Sequence, residues 1–254
     1  SYLTLALRGA HNKNKVLKIS DSMKAYNERM DKEMLEGGKP VIKYYDGVSM
    51  NAIWAVPSLG IDPATGREIY RKKDGRSTFT YDVNDMVICG DNLPKLNGSF
   101  SINLGYKGLG FNMTCIYELG AKMFNQTLID RVENVDMHYN VDRRVLEGRW
   151  QNPGDVVRFR SLKSYWDPET QTYPRDVQTK ATSRFVQKKN ELNISSINIS
   201  YDFYRYAFVK QIGLERLSLA FYMNDVAKLS TIKTERGLAY PFARNYNFSL
   251  QMTF

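Results

Sequence analysis

The sequence predicts an all-β chain, an antiparallel transmembrane β-barrel segment with long extracellular loops, and three observations carry that expectation. The first is the stretch NYNFSLQMTF at 245–254, where Tyr246, Phe248, Leu250, Met252 and Phe254 are apolar and Asn247, Ser249, Gln251 and Thr253 between them are polar and uncharged. Strict period two is the mark of a strand with unlike faces. A strand facing bulk water usually carries Lys, Glu or Asp on its polar side. Uncharged polar residues suit a wet lumen, with the apolar side in lipid and Tyr246 and Phe254 spaced for two aromatic girdles. The edge strand of a soluble sandwich shares this pattern, so the rest of the chain has to decide. The second observation is that no apolar run approaches the roughly 18 residues that a membrane helix needs. A negative mean hydropathy of −0.47 is no objection, because barrel strands are only half apolar, and a barrel is the spanning architecture left open. The third is a regular alternation of short and long connections between alternating segments.

The elements follow in order. Residues 2–8 place Leu3, Leu5 and Leu7 on one face and Thr4, Ala6 and Arg8 on the other, a first strand. From 10 to 98 the pattern is irregular. A charged stretch at 21–35 carries Met23, Tyr26, Met30 and Met34 at helical spacing, and turn signals at GGKP, YYDG, DPATG, KKDG and NLPKLNG separate short β-like pieces at 50–56 and 86–89. Residues 99–118 form the clearest hairpin: Phe100, Ile102, Leu104 and Tyr106 alternate with small or polar residues, Lys107-Gly108 turns the chain, and Phe111, Met113, Cys115 and Tyr117 return. A second excursion at 120–190 holds a helical stretch near 123–136 and turn chemistry at NPGD, WDPE and TYPRD. It is too long for an idle connection. Residues 191–203 return to strand with Ile197, Ile199, Tyr201 and Phe203 in phase; Leu192 and Ile194 are out of phase, which predicts a bulge near Ser195-Ser196. Leu217, Leu219, Phe221 and Met223 then alternate with Arg216, Ser218, Ala220 and Tyr222, and a third excursion at 224–244 leads to the last strand.

Barrels of the outer membrane have short periplasmic turns and long extracellular loops. Lys107-Gly108 and the connection 205–213 therefore belong in the periplasm, the three excursions outside, and Phe254 at the periplasmic rim. Six strands of this kind fall short of the roughly eight at which such barrels begin. Ser1 opens directly into a strand-like run, which fits either a removed export sequence or the later part of something longer; with so few strands, residues 1–254 are expected to be the C-terminal portion of a larger barrel.

Composition narrows the function. The formal charge is +9, but the basic residues concentrate at 71–76 and 180–189, where a solvated surface or attraction to anionic lipid or sugar accounts for them. No zinc spacing, helix-turn-helix pattern or RNA-binding aromatic signature points to nucleic acid. His11 and His138 lie in polar contexts without a nucleophile motif, so no enzyme is expected. Cys89 and Cys115 are too few for a metal cluster. Asp62, Thr65 and Glu68 lack the carboxylate density of a calcium loop, and Asp62-Pro63 reads as a turn closed by Gly66. No cofactor or metal is expected.

Three runs carry a wider resemblance: AVPSLGIDPATGREIYRKKDG at 55–75, GDNLPKLNGSFSINLGYKGLGF at 90–111 and ERGLAYPFARNYNFSLQMTF at 235–254. In this order they resemble the C-terminal third of the SusC/RagA-like TonB-dependent transporters of Bacteroidetes outer membranes. Many members carry an Asn-Leu element and a Gly-x-Asp-Pro-Glu element before the last strand; this chain reads MNDVAKLSTIKTERGLAYPFAR there, a difference of loop geometry. The resemblance implies one wall of a barrel of about 22 strands and import of a large nutrient, an oligosaccharide or an oligopeptide. It also implies a SusD-like surface lipoprotein as lid, energy from the TonB system through a plug domain, and earlier strands beyond this chain. A secreted or surface all-β glycan-binding protein is the alternative.

Within that reading, Asn103, Asn112, Glu118, Asn198, Asp202, Arg216, Asn247 and Gln251 are expected to face the lumen. Tyr246, Phe248, Leu250, Met252 and Phe254 resemble the C-terminal signal read by the barrel-assembly machinery. Trp150, Tyr165 and Trp166, among Arg and Asp residues in the second outer loop, suit capture of sugar or peptide, and equally suit loop packing or docking of the lid.

Overall fold

A computed structural model describes residues 1–37, 40–135, 141–162, 179–233 and 245–254. In chain order the elements are β1 (Tyr2–Ala10), α1 (Asp21–Gly37), β2 (Ala52–Ala55), β3 (Ser58–Ile61), β4 (Glu68–Arg71), β5 (Ser77–Thr78), β6 (Val87–Asp91), β7 (Leu96–Tyr106), β8 (Leu109–Phe124), α2 (Gln126–Leu128), β9 (Val186–Asp202), α3 (Ala207–Gln211), β10 (Arg216–Ser230) and β11 (Tyr246–Thr253). They fall into two compact units. The first is 1–12, 94–121 and 189–254; the second is 13–93 and 122–188.

The first unit is built on an open six-stranded sheet in the order β1-β7-β8-β9-β10-β11. Register fixes its two faces. Leu3, Leu5 and Leu7 pair with Leu104, Ile102 and Phe100, which pair in turn with Phe111, Met113 and Cys115. Asp202 donates its amide to the Gly108 carbonyl at 2.8 Å, and Ser200 stands over Gly110, so β9 runs antiparallel to β8. Ile197, Ile199 and Tyr201 then meet Met223, Phe221 and Leu219, and these meet Tyr246, Phe248 and Leu250. One apolar face thus continues across all six strands. It is open: Leu7 is 77% exposed, Phe248 75% and Phe254 83%. Removing such a side chain from water is worth roughly 1.5–3 kcal/mol. Leaving Leu3, Leu5, Leu7, Leu219, Phe248, Leu250, Met252 and Phe254 in water would therefore forgo on the order of 10 kcal/mol, a face suited to lipid.

The β7–β8 turn is a two-residue hairpin with Tyr106 paired to Leu109 and positive φ at both Lys107 and Gly108. This is the turn whose twist matches flanking strands. Near the far end of β7, a Cβ on Gly98 would lie 2.0 Å from the Arg8 carbonyl; the space is used by Tyr117, whose hydroxyl donates to that carbonyl at 2.8 Å.

Several boundaries differ from the expectation. Strands β8, β9 and β10 have 16, 17 and 15 residues. They outrun the 9–11 needed to cross a bilayer by roughly five residues, or about 16 Å. Beyond lipid nothing enforces alternation, so sequence periodicity stops while ladder hydrogen bonds continue. Hence the excursions begin later than 120 and 224, and the helical stretch expected near 123 starts at Gln126. Asn125 sets that start, its side chain accepting from the Leu128 amide at 3.1 Å. The bulge is also relocated. Asn224 pairs with Ser196 and Ala227 with Ile194, so the extra residue lies on β10, at Asp225-Val226, opposite Ser195. Asp225 has φ 49°; Asp enters this left-handed region more readily than most residues, while the serines stay extended. Leu192 and Ile194 stand on the Asn198 face and pair with Leu229 and Ala227.

The second unit carries the two clusters of buried apolar side chains. Val56, Val83, Met86 and Ala181 form one; Leu128, Ile129, Val132, Phe159 and Phe185 form the other. Around them lie α1, the β2–β6 pair and the β3-β4-β5 sheet. Helix α1 occupies the 21–35 stretch that the spacing predicts. Among the described residues, no helix is long and apolar enough to cross a membrane.

Candidate functional site

The polar face of the sheet is one candidate surface. Asn103 pairs with Asn112, Asp202 with Ser218, Ser218 with Gln251, and Tyr222 with both Asn198 and Asn247. Together with Glu118 and Arg216, the eight polar residues singled out above lie on the face opposite the apolar band. Near the short-connection end, Arg216 bonds Asp202 through Nε at 2.7 Å and Nη2 at 2.5 Å. Toward the other end Lys189 reaches Glu118 at 3.0 Å and Glu191 at 3.2 Å, and Lys228 reaches Glu191 at 3.0 Å. These pairs are partly solvated, so each contributes at most about 1 kcal/mol. Tyr222, between two asparagines, is an aromatic on this polar face; its even position in β10 is the only sign of that in the sequence.

The loop unit is held by a buried ionic network that sequence reasoning missed. Arg184 grips Glu68 with both prongs, Nε to Oε1 at 3.1 Å and Nη2 to Oε2 at 2.9 Å, and its Nη1 meets the Glu133 carboxylate. Arg149 approaches the other Glu133 oxygen at 3.7 Å and donates to the Val132, Val145 and Arg160 carbonyls. Thr182 donates to Glu68 Oε1 at 2.7 Å. The Glu133 side chain is fully buried and that of Glu68 is 4% exposed. Burial alone would pull the Arg184 pKa down; Glu68 and then Glu133 outweigh it and hold it above its ordinary value. Arg149 goes the other way: burial lowers it and Glu133 only partly compensates. Glu68 and Arg184 are 116 positions apart, so no local pattern could reveal the pair.

Trp150 is committed within this unit. Its indole donates to the Pro63 carbonyl at 2.8 Å, and a Cβ on Gly66, where φ is 72°, would lie 2.6 Å from its ring. The Asp62 turn is formed as the sequence reads: Asp62 accepts from the Thr65 hydroxyl at 2.5 Å and the Ala64 amide at 3.2 Å, and Gly66 donates back to Asp62 at 2.8 Å. The Thr65 bond is the main cause holding the Asp62 carboxyl below its usual range. His11 Nδ1 bonds the Lys95 carbonyl. Tyr165, Trp166 and His138 lie outside the described residues. Tyr246, Phe248, Leu250 and Met252 share the apolar face of β11, and Phe254 follows them.

A curated relative now bears on this geometry. The chain is 26% identical over 157 residues to TonB-dependent receptor P39 of Formosa agariphila, a match covering 61% of this chain and 14% of that receptor. The chain is a homologue of a TonB-dependent receptor. Its fold is that of a segment of a transporter β-barrel. It aligns with the structure of the RagAB peptide transporter at TM-score 0.56 and 16% identity, over 74% of this chain and 20% of that one. With the open-open state of the RagAB peptide importer the TM-score is 0.64 at 14% identity, over 91% and 23%. No family model matches. The chain spans about a seventh of the receptor's length and about a fifth of the RagAB chains. These similar proteins are receptors and transporters rather than enzymes.

Proposed function

We propose that this chain forms wall and outer loops of a TonB-dependent outer-membrane importer for a large nutrient, an oligosaccharide or an oligopeptide. The observation that carries the reading is the open sheet. Its apolar face runs from β1 to β11 and is most exposed on the two edge strands, and both edge strands, nine and eight residues long, lack a neighbour on one side among the described residues. In a bilayer no backbone group can remain unpaired, so each edge requires a further strand, supplied by the remaining barrel.

In this reading the Asn103, Asn112, Glu118, Asn198, Asp202, Arg216, Asn247 and Gln251 face lines the lumen and meets the plug. The long connections face outward beneath a SusD-like lipoprotein, the TonB system acts through the plug, and the barrel-assembly machinery reads Tyr246 to Phe254. Phe254 sits at the periplasmic rim. Trp150, Tyr165 and Trp166 remain substrate-contact proposals; for Trp150 the bond to Pro63 favours a packing role. The RagAB relatives, described as a peptide transporter, support the peptide side of the substrate choice.

Detergent extraction of the native outer membrane, followed by intact mass and identification of co-purifying chains, tests this. A heat-modifiable species carrying a plug and about 16 more strands, accompanied by a lipoprotein, is the expected result. A monomer soluble without detergent would return the chain to the glycan-binding alternative.

A further inference from the structure

At the short-connection end of the sheet, exposed aromatic rings gather with cations that have no acidic partner. Tyr106 and Leu109 flank the β7–β8 turn, and the β9–β10 connection carries Tyr204, Tyr206, Phe208 and Ile212, between 42% and 60% exposed. Tyr201, Phe203, Tyr206 and Phe208 form a chain of ring contacts with centroids 4.8 to 6.2 Å apart. Helix α3 within this connection buries Val209. This cluster continues the apolar band of the sheet, so it is placed where hydrocarbon gives way to head groups.

The charges at this end are one-sided. Asp202 is engaged by Arg216. Lys107, Arg205 and Lys210 remain without an ion pair among the described residues, although Glu215 and the Phe254 carboxylate lie at the same end. Two of the three are laid along rings. Lys107 Nζ lies 5.3 Å from the Tyr106 centroid; the Arg205 guanidinium lies 5.5 Å from that of Tyr204 and donates through Nε to its hydroxyl at 2.9 Å. A Cβ on Gly108 would lie 3.5 Å from the Tyr204 ring, so Tyr204 joins the turn that carries Lys107 to the connection that carries Arg205.

Lys107 itself is the telling residue. Its φ of 47° is left-handed, a conformation that costs most residues about 1–2 kcal/mol and that Asn, Asp or Gly would occupy more cheaply. A residue kept in a costly conformation is grounds for asking what its side chain does. Here it places a cation beside the aromatic belt.

We propose that Lys107, Arg205 and Lys210 form a binding surface for the head groups of anionic glycerophospholipids in the leaflet that bathes the short-connection end. The inference rests on the barrel reading. Tyrosines anchor the rim at the interface, the cation stems lie along their rings, and the charged ends meet lipid phosphate. Each basic residue near an anionic surface contributes roughly fivefold to association.

The test uses the intact transporter carrying this chain, purified in mild detergent and exposed to equimolar phosphatidylglycerol and phosphatidylcholine, with retained lipid counted by native mass spectrometry. The unaltered protein should retain phosphatidylglycerol preferentially. The Lys107→Gln/Arg205→Gln/Lys210→Gln variant should lose at least about tenfold of that preference, and Lys107→Asn, which suits the turn, about fivefold. Lys72→Gln/Lys73→Gln, in the β4–β5 turn, should lose none. Equal retention of the two lipids by the unaltered protein, or unchanged preference in Lys107→Asn, overturns the proposal while leaving the barrel intact. A chain recovered without detergent overturns the barrel reading and this inference together.

Discussion

Arg184→Met should unfold the loop unit long before the barrel. The guanidinium bonds both oxygens of Glu68 and meets Glu133, carboxylates whose side chains are 4% and 0% exposed. Methionine fills similar volume and keeps an apolar stem near Phe185, whose ring centroid now lies 4.4 Å from the guanidinium, so the packing loss is below about 1.5 kcal/mol. What dominates is electrostatic. Two buried carboxylates would lose their shared cation, leaving Glu133 to Arg149 at 3.7 Å and to the more distant Arg158, and uncovering a buried charge costs about 3–5 kcal/mol. Adding Glu68→Gln removes one of the stranded charges and keeps an acceptor for Thr182. The double variant should therefore recover about 2 kcal/mol or more, a coupling readable in a double-mutant cycle. Pulse proteolysis of the intact transporter across a urea series, following cleavage within 122–188, reports the loop unit separately from the barrel. A single-variant loss under about 1 kcal/mol, or a double variant no better than the single, would refute the network as the loop unit's main polar tie.

Three further outcomes are expected. Gly66→Ala forces a Cβ to 2.6 Å from the Trp150 ring at φ 72°, which should cost about 2–4 kcal/mol and raise hydrogen exchange at 62–67; unchanged exchange would show that Trp150 is free to move. Lys107→Gly relieves the left-handed strain at φ 47° and should raise the barrel's unfolding free energy by about 1 kcal/mol, an increase that would be absent if the turn is not formed. Burial pushes the Cys89 thiol up, against the nearby Lys122. The neutral thiol's contribution to stability is therefore present below its unfolded pKa and lost as pH rises through the folded one. Iodoacetamide at pH 8.5 should accordingly modify Cys89 at least about tenfold more slowly in the folded protein than after unfolding, and equal rates would contradict its half-buried placement.

What the sequence made legible follows lipid. Where a strand divides lipid from a polar interior, alternation is compulsory, and Leu3 to Leu7, Phe100 to Tyr106 and Tyr246 to Met252 declared their strands and faces directly. Where strands β8 to β10 rise beyond that zone, residues such as Lys189 and Glu191 break the alternation without breaking the ladder, and periodicity alone places the ends several residues short. The slipped apolar phase of Leu192 and Ile194 points to a bulge on β9, although the extra residue sits at Asp225 across the ladder, where the backbone tolerates positive φ. The Glu68–Arg184–Glu133–Arg149 network left no trace, because its members meet across long sequence separations in loops whose charges look like ordinary solvated ones. Trp150 was legible as an aromatic in an outer loop, but its commitment to Pro63 and Gly66 was not.

The most direct test of the barrel-wall account is a nitroxide scan along β11, positions 246 to 253, in the transporter reconstituted into bilayers, measuring collision with oxygen and with a water-soluble nickel chelate. The account predicts period two: labels at 246, 248, 250 and 252 favour oxygen, and labels at 247, 249, 251 and 253 favour the chelate. A scan in which both sets favour the chelate, or in which no alternation appears, would contradict it.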